Sequence, residues 1–453
     1  MGYDITKMGV GVINSLTTSM NDGGIPLVNE TTASLQAAGK AILAFQARTN
    51  AFCTALANAI IASVISNKMY ESHYNLFKKA EQRYGDTIQE IYFGLCEVHG
   101  YDPSQAAQNI YGINAPDVST AFHSMDLAAT YATSIADTDL ERAFYSFEGW
   151  DKFVQGAIAE IYDSFEYDQE LLFKYLLATV LLTGRVKVVE ISEPSASTSD
   201  AITIDIKKIS NDMEFKKSKY TIAKVPNFVK KSDQVLLESV DVNAILNVAT
   251  LANAFHMEKA DLEARTILFD SLADIDYARL AKILSKDTGY SEFTSDQKAD
   301  LAKVHAVLCS KDFFMIYDNY KKMGDVYNPD GMYRNYFYNI GQTFSVSPFE
   351  DVVLFTNATN AISAVTVSGL SAISMAGTYD YSAAVTRTGF ISDEVTWKVE
   401  AAQSSGVASL AKIKIDAFGR LTLESGYATG GIVITATSKA DGTVAGTKAV
   451  TLS

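Results

Sequence analysis

Five histidines and three cysteines are the side chains of this 453-residue chain best suited to hold a metal or attack a substrate. His73, His99, His123, His256 and His305 stand singly, with no two at a metal-ligand spacing. Cys96-Glu-Val-His99 places a thiolate and an imidazole three positions apart. A zinc site takes three or four ligands and no second pair lies nearby, so both residues read as structural. Cys53, Cys96 and Cys309 are far apart, which fits free, buried thiols in a reducing cytosol better than a disulfide framework. Gly9-Val-Gly11 lacks the third glycine and the strand–helix setting of a dinucleotide loop. No phosphate-binding loop, nucleophile elbow or His-Glu-x-x-His pattern occurs.

The carboxylates offer little more. Asp137 with Asp139, Asp274 with Asp276, and Asp163 with Asp168 are pairs that a cation could use, but solvated surface carboxylates are the expected reading. Lys207–Lys231 is the most basic stretch, with Lys216, Lys217, Lys219, Lys230 and Lys231. It could meet a phosphate or a partner subunit, and a solvated face is expected instead. Tyr333, Tyr336, Phe337 and Tyr338 could stack on bases, yet their alternation suits core packing better. No catalytic, cofactor-binding or metal-ligating residue is assigned, and no cofactor is implied. The chain reads as architecture, not as an enzyme.

The composition agrees with that reading. Hydrophobic residues make up 48% and charged residues 20%, the mix of a folded chain with room for two to four domains. A net charge of −15 argues against a dedicated nucleic-acid binder, which shows a basic face. The N-terminus has no basic segment leading into an apolar one, so no secretory signal is expected. Ala51–Ile65 and Leu171–Leu182, the most apolar windows, are too short or interrupted to span a bilayer.

Thr356 divides the chain. From Asn357 to Ser453 there is no Pro, His or Cys, and seven basic residues balance seven acidic ones, so the whole −15 lies on residues 1–356. This tail is made of short Val/Ile/Thr/Ala runs between Gly and Ser. Its candidate strands are Ala364–Val367, Thr378–Val385, Val395–Glu400, Lys412–Ile415, Leu421–Leu423, Gly431–Thr437 and Thr447–Leu452, spaced as in a β-sandwich. Trp397 is the expected core residue, with no cysteine pair to flank it.

Upstream, Asn21-Asp-Gly-Gly-Ile-Pro26 signals a loop and Thr31–Ser66 one or two helices. Tyr70–Leu140 is broken by Gly85-Asp86, Gly100-Tyr-Asp-Pro103 and Asn114-Ala-Pro116, which predicts a loop-rich excursion. A long helix follows from Phe147 to Leu182, with Gly184 as its stop. Its apolar face would hold Trp150, Phe153, Val154, Ala157, Ile158, Ile161, Phe165, Leu172, Tyr175, Leu176 and Thr179. Asp151, Lys152, Gln155, Glu160, Asp163 and Asp168 would face solvent, and Glu166–Gln169 is where the rod could break. Gly184–Ile191 and Ala201–Ser210 read as strands, the second from alternating Ile202, Ile204 and Ile206, with a helix left open for the basic residues after it. A mixed α+β region follows, with helices at Val240–Phe255 and Asp274–Leu284 and strands at Thr266–Phe269 and Val304–Leu308. Phe313–Tyr317 is a strand, Asn328-Pro-Asp-Gly331 a turn, and Met332–Val346 a long half-buried strand ended by Pro348. Asp351–Thr356 begins another.

Several segments are familiar in combination. Lys311-Asp-Phe-Phe-Met-Ile-Tyr-Asp-Asn-Tyr-Lys-Lys-Met323, Asn328-Pro-Asp-Gly-Met-Tyr-Arg-Asn-Tyr-Phe-Tyr338 and Gln342-Thr-Phe-Ser-Val-Ser347 resemble, in order, the major capsid protein of phi 29-like small tailed phages. Thr87–Tyr92, Phe147–Phe153 and Leu251–Met257 are also similar to that family. The likeness runs over residues 85–356, densest over 311–347, and is poor over the first 70. The tail resembles a bacterial Ig-like group 2 module through its strand pattern and Val395-Thr-Trp-Lys-Val399.

The resemblance implies an α+β Hong Kong 97-type capsid fold followed by an all-β Ig-like sandwich. On this chain it implies an N-terminal arm over 1–66, an extended loop over 67–140 and a peripheral domain with spine helix over 141–187. An axial domain would occupy 188–310, returning peripheral strands 311–356 and the Ig-like module 357–453. It further implies hexamers and pentamers that tile an icosahedral or prolate shell around double-stranded DNA, touched without sequence preference, with a scaffolding protein and portal as assembly partners. The tail would lie outside, optional to assembly and available to a host surface, with no membrane contact. A bacterial surface adhesin with an Ig-like binding module is the competing reading, weakened by the missing signal and wall anchor.

Overall fold

The computed structural model describes residues 13–14, 17, 25–29, 31–45, 47–52, 55, 72–79, 81–82, 85, 87–96, 98, 115–145, 147–245, 265–285, 289–403, 406–407 and 409–453. In chain order the core elements begin with α1 (Thr32–Leu43), β1 (Thr87–Phe93), β2 (Val118–Ser124), β3 (Leu127–Ala136), α2 (Asp137–Ala143) and α3 (Phe147–Leu182). Then come β4 (Lys187–Glu190), α4 (Ser199–Asp212), β5 (Gln234–Ser239), α5 (Val240–Ile245), β6 (Thr266–Phe269), α6 (Tyr277–Ile283) and α7 (Ser295–Leu301). The core closes with β7 (Val304–Ser310), β8 (Phe314–Asn328), β9 (Tyr333–Val346) and β10 (Val352–Thr356). Two compact units result, one of residues 1–174, 276–291 and 314–347, the other of 175–275, 292–313 and 348–453.

The first unit is built on the antiparallel sheet β3-β9-β8. Asn328-Pro-Asp-Gly makes the β8–β9 turn as its residues predict: the Asn328 side-chain oxygen accepts from the backbone N–H groups of Asp330 (3.1 Å) and Gly331 (3.2 Å). Strand period two then sends Tyr336, Tyr338 and Ile340 to one buried face, while Met332 stays exposed. They join Leu35, Ala38 and Ile42 of α1, Leu140 and Phe144, and Ile161 and Phe165 of α3 in one apolar cluster. Gly39 is required in α1, because a Cβ there would stand 2.7 Å from the Phe144 ring. A second cluster is aromatic, with Phe173 stacked on Tyr74 at 3.9 Å and set against Phe314 at 4.6 Å between centroids.

Helix α3 runs unbroken for 36 residues, about 54 Å at the α-helical rise. The polar run Glu166–Gln169 does not break it and does not face solvent. Glu166 accepts from the Ser72 N–H at 3.0 Å, Asp168 pairs with Arg279, and Gln169 exchanges amide hydrogen bonds with Gln342. A buried polar side chain with a partner is no obstacle to a helix. Thr179, expected on the apolar face, is exposed; Leu177, Ala178 and Leu181 are buried instead. The side chains of Trp150, Phe153, Val154, Ala157 and Ile158 lie outside the described residues.

The second unit carries the mixed sheet β4-β10-β7-β5-β6, in which β10, β7 and β5 are central and nearly all buried. Ala201–Ser210, expected as a strand, is the helix α4. Ile202 and Ile206 are buried one turn apart with Ser210 beyond them, and Ile204 is exposed. Thus Ile202 and Ile206 are spaced for a helix face as well as for a strand, and packing on the sheet decided between them. The helix expected over Val240–Phe255 is described only as α5; its remainder, Leu251–Met257 and the loops at 21–24 and 100–103 lie outside the described residues, as do 46, 53–54 and 56–66 of the helical stretch expected over Thr31–Ser66.

The tail has its own core of Leu421, Leu423, Ile432, Ile434, Val450 and Leu452, with Trp397 half-buried against it. Its strands are β11 (Ala361–Ser368), β12 (Ala372–Ile373), β13 (Gly377–Asp380), β14 (Ser382–Thr388), β15 (Val395–Ala401), β16 (Ile413–Ile415), β17 (Arg420–Leu423), β18 (Gly430–Ser438) and β19 (Ala445–Leu452). They form sheets of order β11-β14, β12-β19-β18-β15 and β13-β17-β16. The expected strand Thr378–Val385 is two strands in different sheets. The chain turns at Tyr381, which is buried and donates to the Leu370 carbonyl at 2.8 Å.

Candidate assembly surface

Strands β1 and β2 form a two-stranded antiparallel ribbon in which Phe93 faces Val118, Ile91 faces Thr120 and Gln89 faces Phe122. Alternation in Thr-Ile-Gln-Glu-Ile-Tyr-Phe sends successive side chains to opposite faces. One face is held down. His123, only 3% exposed, meets Glu90 at 3.1 Å through Nε2 and Ser345 at 2.8 Å through Nδ1, and Ser347 donates to the other Glu90 oxygen at 2.7 Å. The β2–β3 bend is tied as well, with Asp126 accepting from the Phe344 N–H at 2.9 Å.

The opposite face is exposed and carries four apolar side chains among the polar Thr87, Gln89, Thr120 and Ser124. Phe93 and Phe122 are each 66% exposed, and Ile91 and Val118 share their side of the ribbon. Leu95, just beyond β1, is exposed too. Two strands alone are marginal in water, so the polar clamp on the inner face fixes the ribbon while its outer face remains free. Contiguous exposed apolar surface of this kind marks a contact with another molecule.

Beneath the ribbon's attachment, polar groups lock α3 to the sheet. Gln342 donates to Gln169 at 3.1 Å and also to Asp318. Burial pushes the Asp318 carboxyl up, but Lys321 at 2.7 Å, Gln342 and Lys78 outweigh it and hold the group below its ordinary range. Asp168, 2% exposed in its side chain, is held by Arg279, whose guanidinium also lies over the Tyr167 ring. Burial, then the neighbouring Asp168, raises the Tyr131 hydroxyl, so both tyrosine and arginine keep their protons here.

The residues singled out for chemistry are dispersed. His123 serves the ribbon clamp, His305 meets Asn357 at 2.8 Å, and His73 opens a short helical turn. His99, His256 and Cys53 lie outside the described residues. Cys309 is buried, and burial raises its thiol, but Cys96 is exposed, against the expectation of a buried thiol. Asp137 accepts from the Tyr327 hydroxyl at 2.8 Å and Asp276 caps α6. Asp139, Asp163 and Asp274 are exposed, as expected of solvated carboxylates. Asp168 is the exception: the partner that took it inside, Arg279, is 111 residues away and left no local signal. In the basic stretch, hydrogen bonds from Lys217, Lys219 and Tyr220 hold Asp212 well below the carboxylate range. Tyr336 and Tyr338 are core, and the Tyr333 hydroxyl accepts from the Asn328 amide at 2.8 Å. The described residues contain no group of three or more potential metal ligands and no helix long and apolar enough to cross a membrane.

The described residues thus form a mixed α+β body that presents a clamped ribbon and assemble no catalytic group among themselves. Its backbone is similar to the capsid structure of Staphylococcus phage Andhra, with a TM-score of 0.50, 14% identity, and 64% of this chain and 85% of that chain covered. The fold is therefore that of phage capsids. Residues 12–356 match the Phi29-like phage major capsid protein family, and the chain belongs to that family. It is 31% identical to a major capsid protein of Bacillus phage PZA over 88% of this chain and 84% of the relative, and 28% identical to that of Bacillus phage B103 over 87% and 85%. The match to the PZA protein leaves fewer residues unmatched than lie beyond Thr356, so it reaches into the tail. The adhesin reading gains nothing from these likenesses.

Proposed function

We propose that this chain is the major capsid protein of a tailed phage and builds the virion shell by pairing the bare face of its β1–β2 ribbon with a neighbouring copy. The observation that carries the reading is the asymmetry of the ribbon: one face clamped by Glu90, His123, Ser345 and Ser347, the other presenting Phe93 and Phe122 to solvent. An excursion that reaches over a neighbour adds contact area without enlarging the core, and heterologous contacts of this type close into rings.

In this reading the fold is of the Hong Kong 97 type. Residues 1–66 are the arm, 67–140 the extended loop, 141–187 the peripheral domain with α3 as spine, 188–310 the axial domain and 311–356 the returning strands. Hexamers and pentamers tile the shell, with scaffolding protein and portal taking part in assembly. The tail is an Ig-like module, supported by its separate core around Ile432, Ile434 and Leu421. The acidic balance of residues 1–356 favours loose, non-specific contact with packaged double-stranded DNA. Electron microscopy of the purified protein tests the reading: uniform shells or capsomers support it, and dispersed monomers under all assembly conditions contradict it. Empty shells that bind DNA strongly and salt-dependently would overturn the account of the lining.

A further inference from the structure

The second unit contains a cleft of about 980 Å³ that the shell reading does not use. One wall is β4, the edge strand of the five-stranded sheet, which pairs with β10 on one side only. The facing wall comes from the tail, at Ile391–Ser392, Glu394 and Lys439, and the rim from Ile222–Lys224. An edge strand offers unpaired backbone N–H and C=O groups to any extended chain that can reach them.

The cleft carries four cations, Arg185, Lys187, Lys224 and Lys439, against two carboxylates, Glu190 and Glu394, so it is net positive, unlike the chain as a whole. Arg185 and Lys439 share Glu394, at 3.4 and 3.3 Å, which leaves that carboxylate outnumbered. Lys187 and Lys224 are exposed and form no ion pair among the described residues. Lys224 also holds a φ of 58°, a left-handed conformation that glycine or asparagine would adopt with less strain. Residues held in sparsely populated backbone regions cluster at binding sites and ligand clamps, where the surrounding structure fixes them.

We infer that this cleft receives an extended acidic peptide segment of another protein, which adds as a strand to β4 while its carboxylates meet Lys187 and Lys224. Backbone pairing supplies affinity in such strand addition, and alternate side chains supply specificity. The volume suits a short peptide stretch and excludes duplex DNA. A plain edge-protecting role for Lys187 is the competing account, since lysine also guards sheet edges against pairing.

Fluorescence anisotropy on the dispersed full-length chain distinguishes these. The probe is a labelled heptapeptide alternating Glu with Val and Thr, compared with its Gln-for-Glu analogue and its backbone N-methylated analogue. The proposal expects binding of the acidic peptide, at least tenfold weaker binding of the Gln analogue, and loss of binding on N-methylation. The double variant Lys187→Gln/Lys224→Gly should weaken the acidic peptide at least tenfold with no fall in Tm, since glycine relaxes the 224 backbone. Absence of binding overturns the proposal, as does equal binding of the Gln or N-methylated peptide or an unaffected double variant. Loss of probe binding as the chain itself associates at rising concentration would reassign the cleft to a neighbouring copy and also overturn it. Because the peptide changes leave the protein untouched, the result does not depend on how the variant folds.

Discussion

Arg387, on tail strand β14, donates to the carbonyl oxygen of Leu182, the last residue of α3, at 2.7 Å. The same guanidinium donates to the Ile391 carbonyl at 2.5 Å. A helix ends with carbonyls that lack intrahelical partners, and a cation there satisfies one of them and opposes the helix dipole. The chain turns beside it at Gly184, whose φ of 69° and approach to Ile391, 2.2 Å from a notional Cβ, admit no side chain. The tail is therefore joined to the rest of the second unit, and Gly389 N–H to Asp300 (2.8 Å) and Asn360 to Glu190 (3.0 Å) extend the contact.

Replacing Arg387 with Met keeps the stem and removes these bonds. Thermal denaturation should show a loss of about 1.5–3 kcal/mol, the range for hydrogen bonds to a charged group. Removing residues 357–453 should lower the Tm of the second unit as well, while shells still form. An unchanged Tm in either case would contradict the docking.

Asp351 gives a pH test. It is wholly buried, and burial first, then the adjoining Glu350, raises its carboxyl to about 7, the Asn227 amide offsetting this only in part. With the folded value above the ordinary 3.8, the folded state holds the proton more tightly. Its contribution to stability is full below pH ~4 and is lost as pH rises to ~7. Asp351→Asn should therefore raise Tm, with an advantage that grows from pH 5 to pH 8. An advantage that shrinks with pH would show the carboxylate to be charged and satisfied.

The Asp168–Arg279 pair should be asymmetric. Arg279→Met strands a buried carboxylate and is expected to cost about 3–5 kcal/mol. Asp168→Asn leaves a guanidinium that is 36% exposed and should cost less. Denaturant titration of both, with the double variant Asp168→Leu/Arg279→Met near the milder one, checks this order.

These cases show what could be read in advance. The succession of elements was legible, because strand alternation in Met332–Val346, the Asn328–Gly331 turn and the helix ending at Gly184 are local signals. The β1–β2 ribbon was legible only as an irregular excursion and a Thr87–Tyr92 likeness. Its exposed phenylalanines look like core residues until the paired strand places them outward. Residues satisfied at long range were misread: Glu166–Gln169 suggested a break and Asp168 a surface group, since Ser72, Arg279 and Gln342 could not be paired with them from spacing. Ile202 and Ile206 fit both periods while Ile204 fits only the strand's, and the sheet beneath α4 chose the helix. The tail looked like an appendage because nothing in its composition announces the bond from Arg387 to Leu182.

The most direct test of the account is assembly of the variant Phe93→Glu/Phe122→Glu, followed by sedimentation velocity and electron microscopy beside the unchanged chain. Both side chains are solvent-exposed in the subunit, so its Tm should move little. The account predicts a folded subunit that no longer forms shells. Shells of normal number and size from this variant would contradict it.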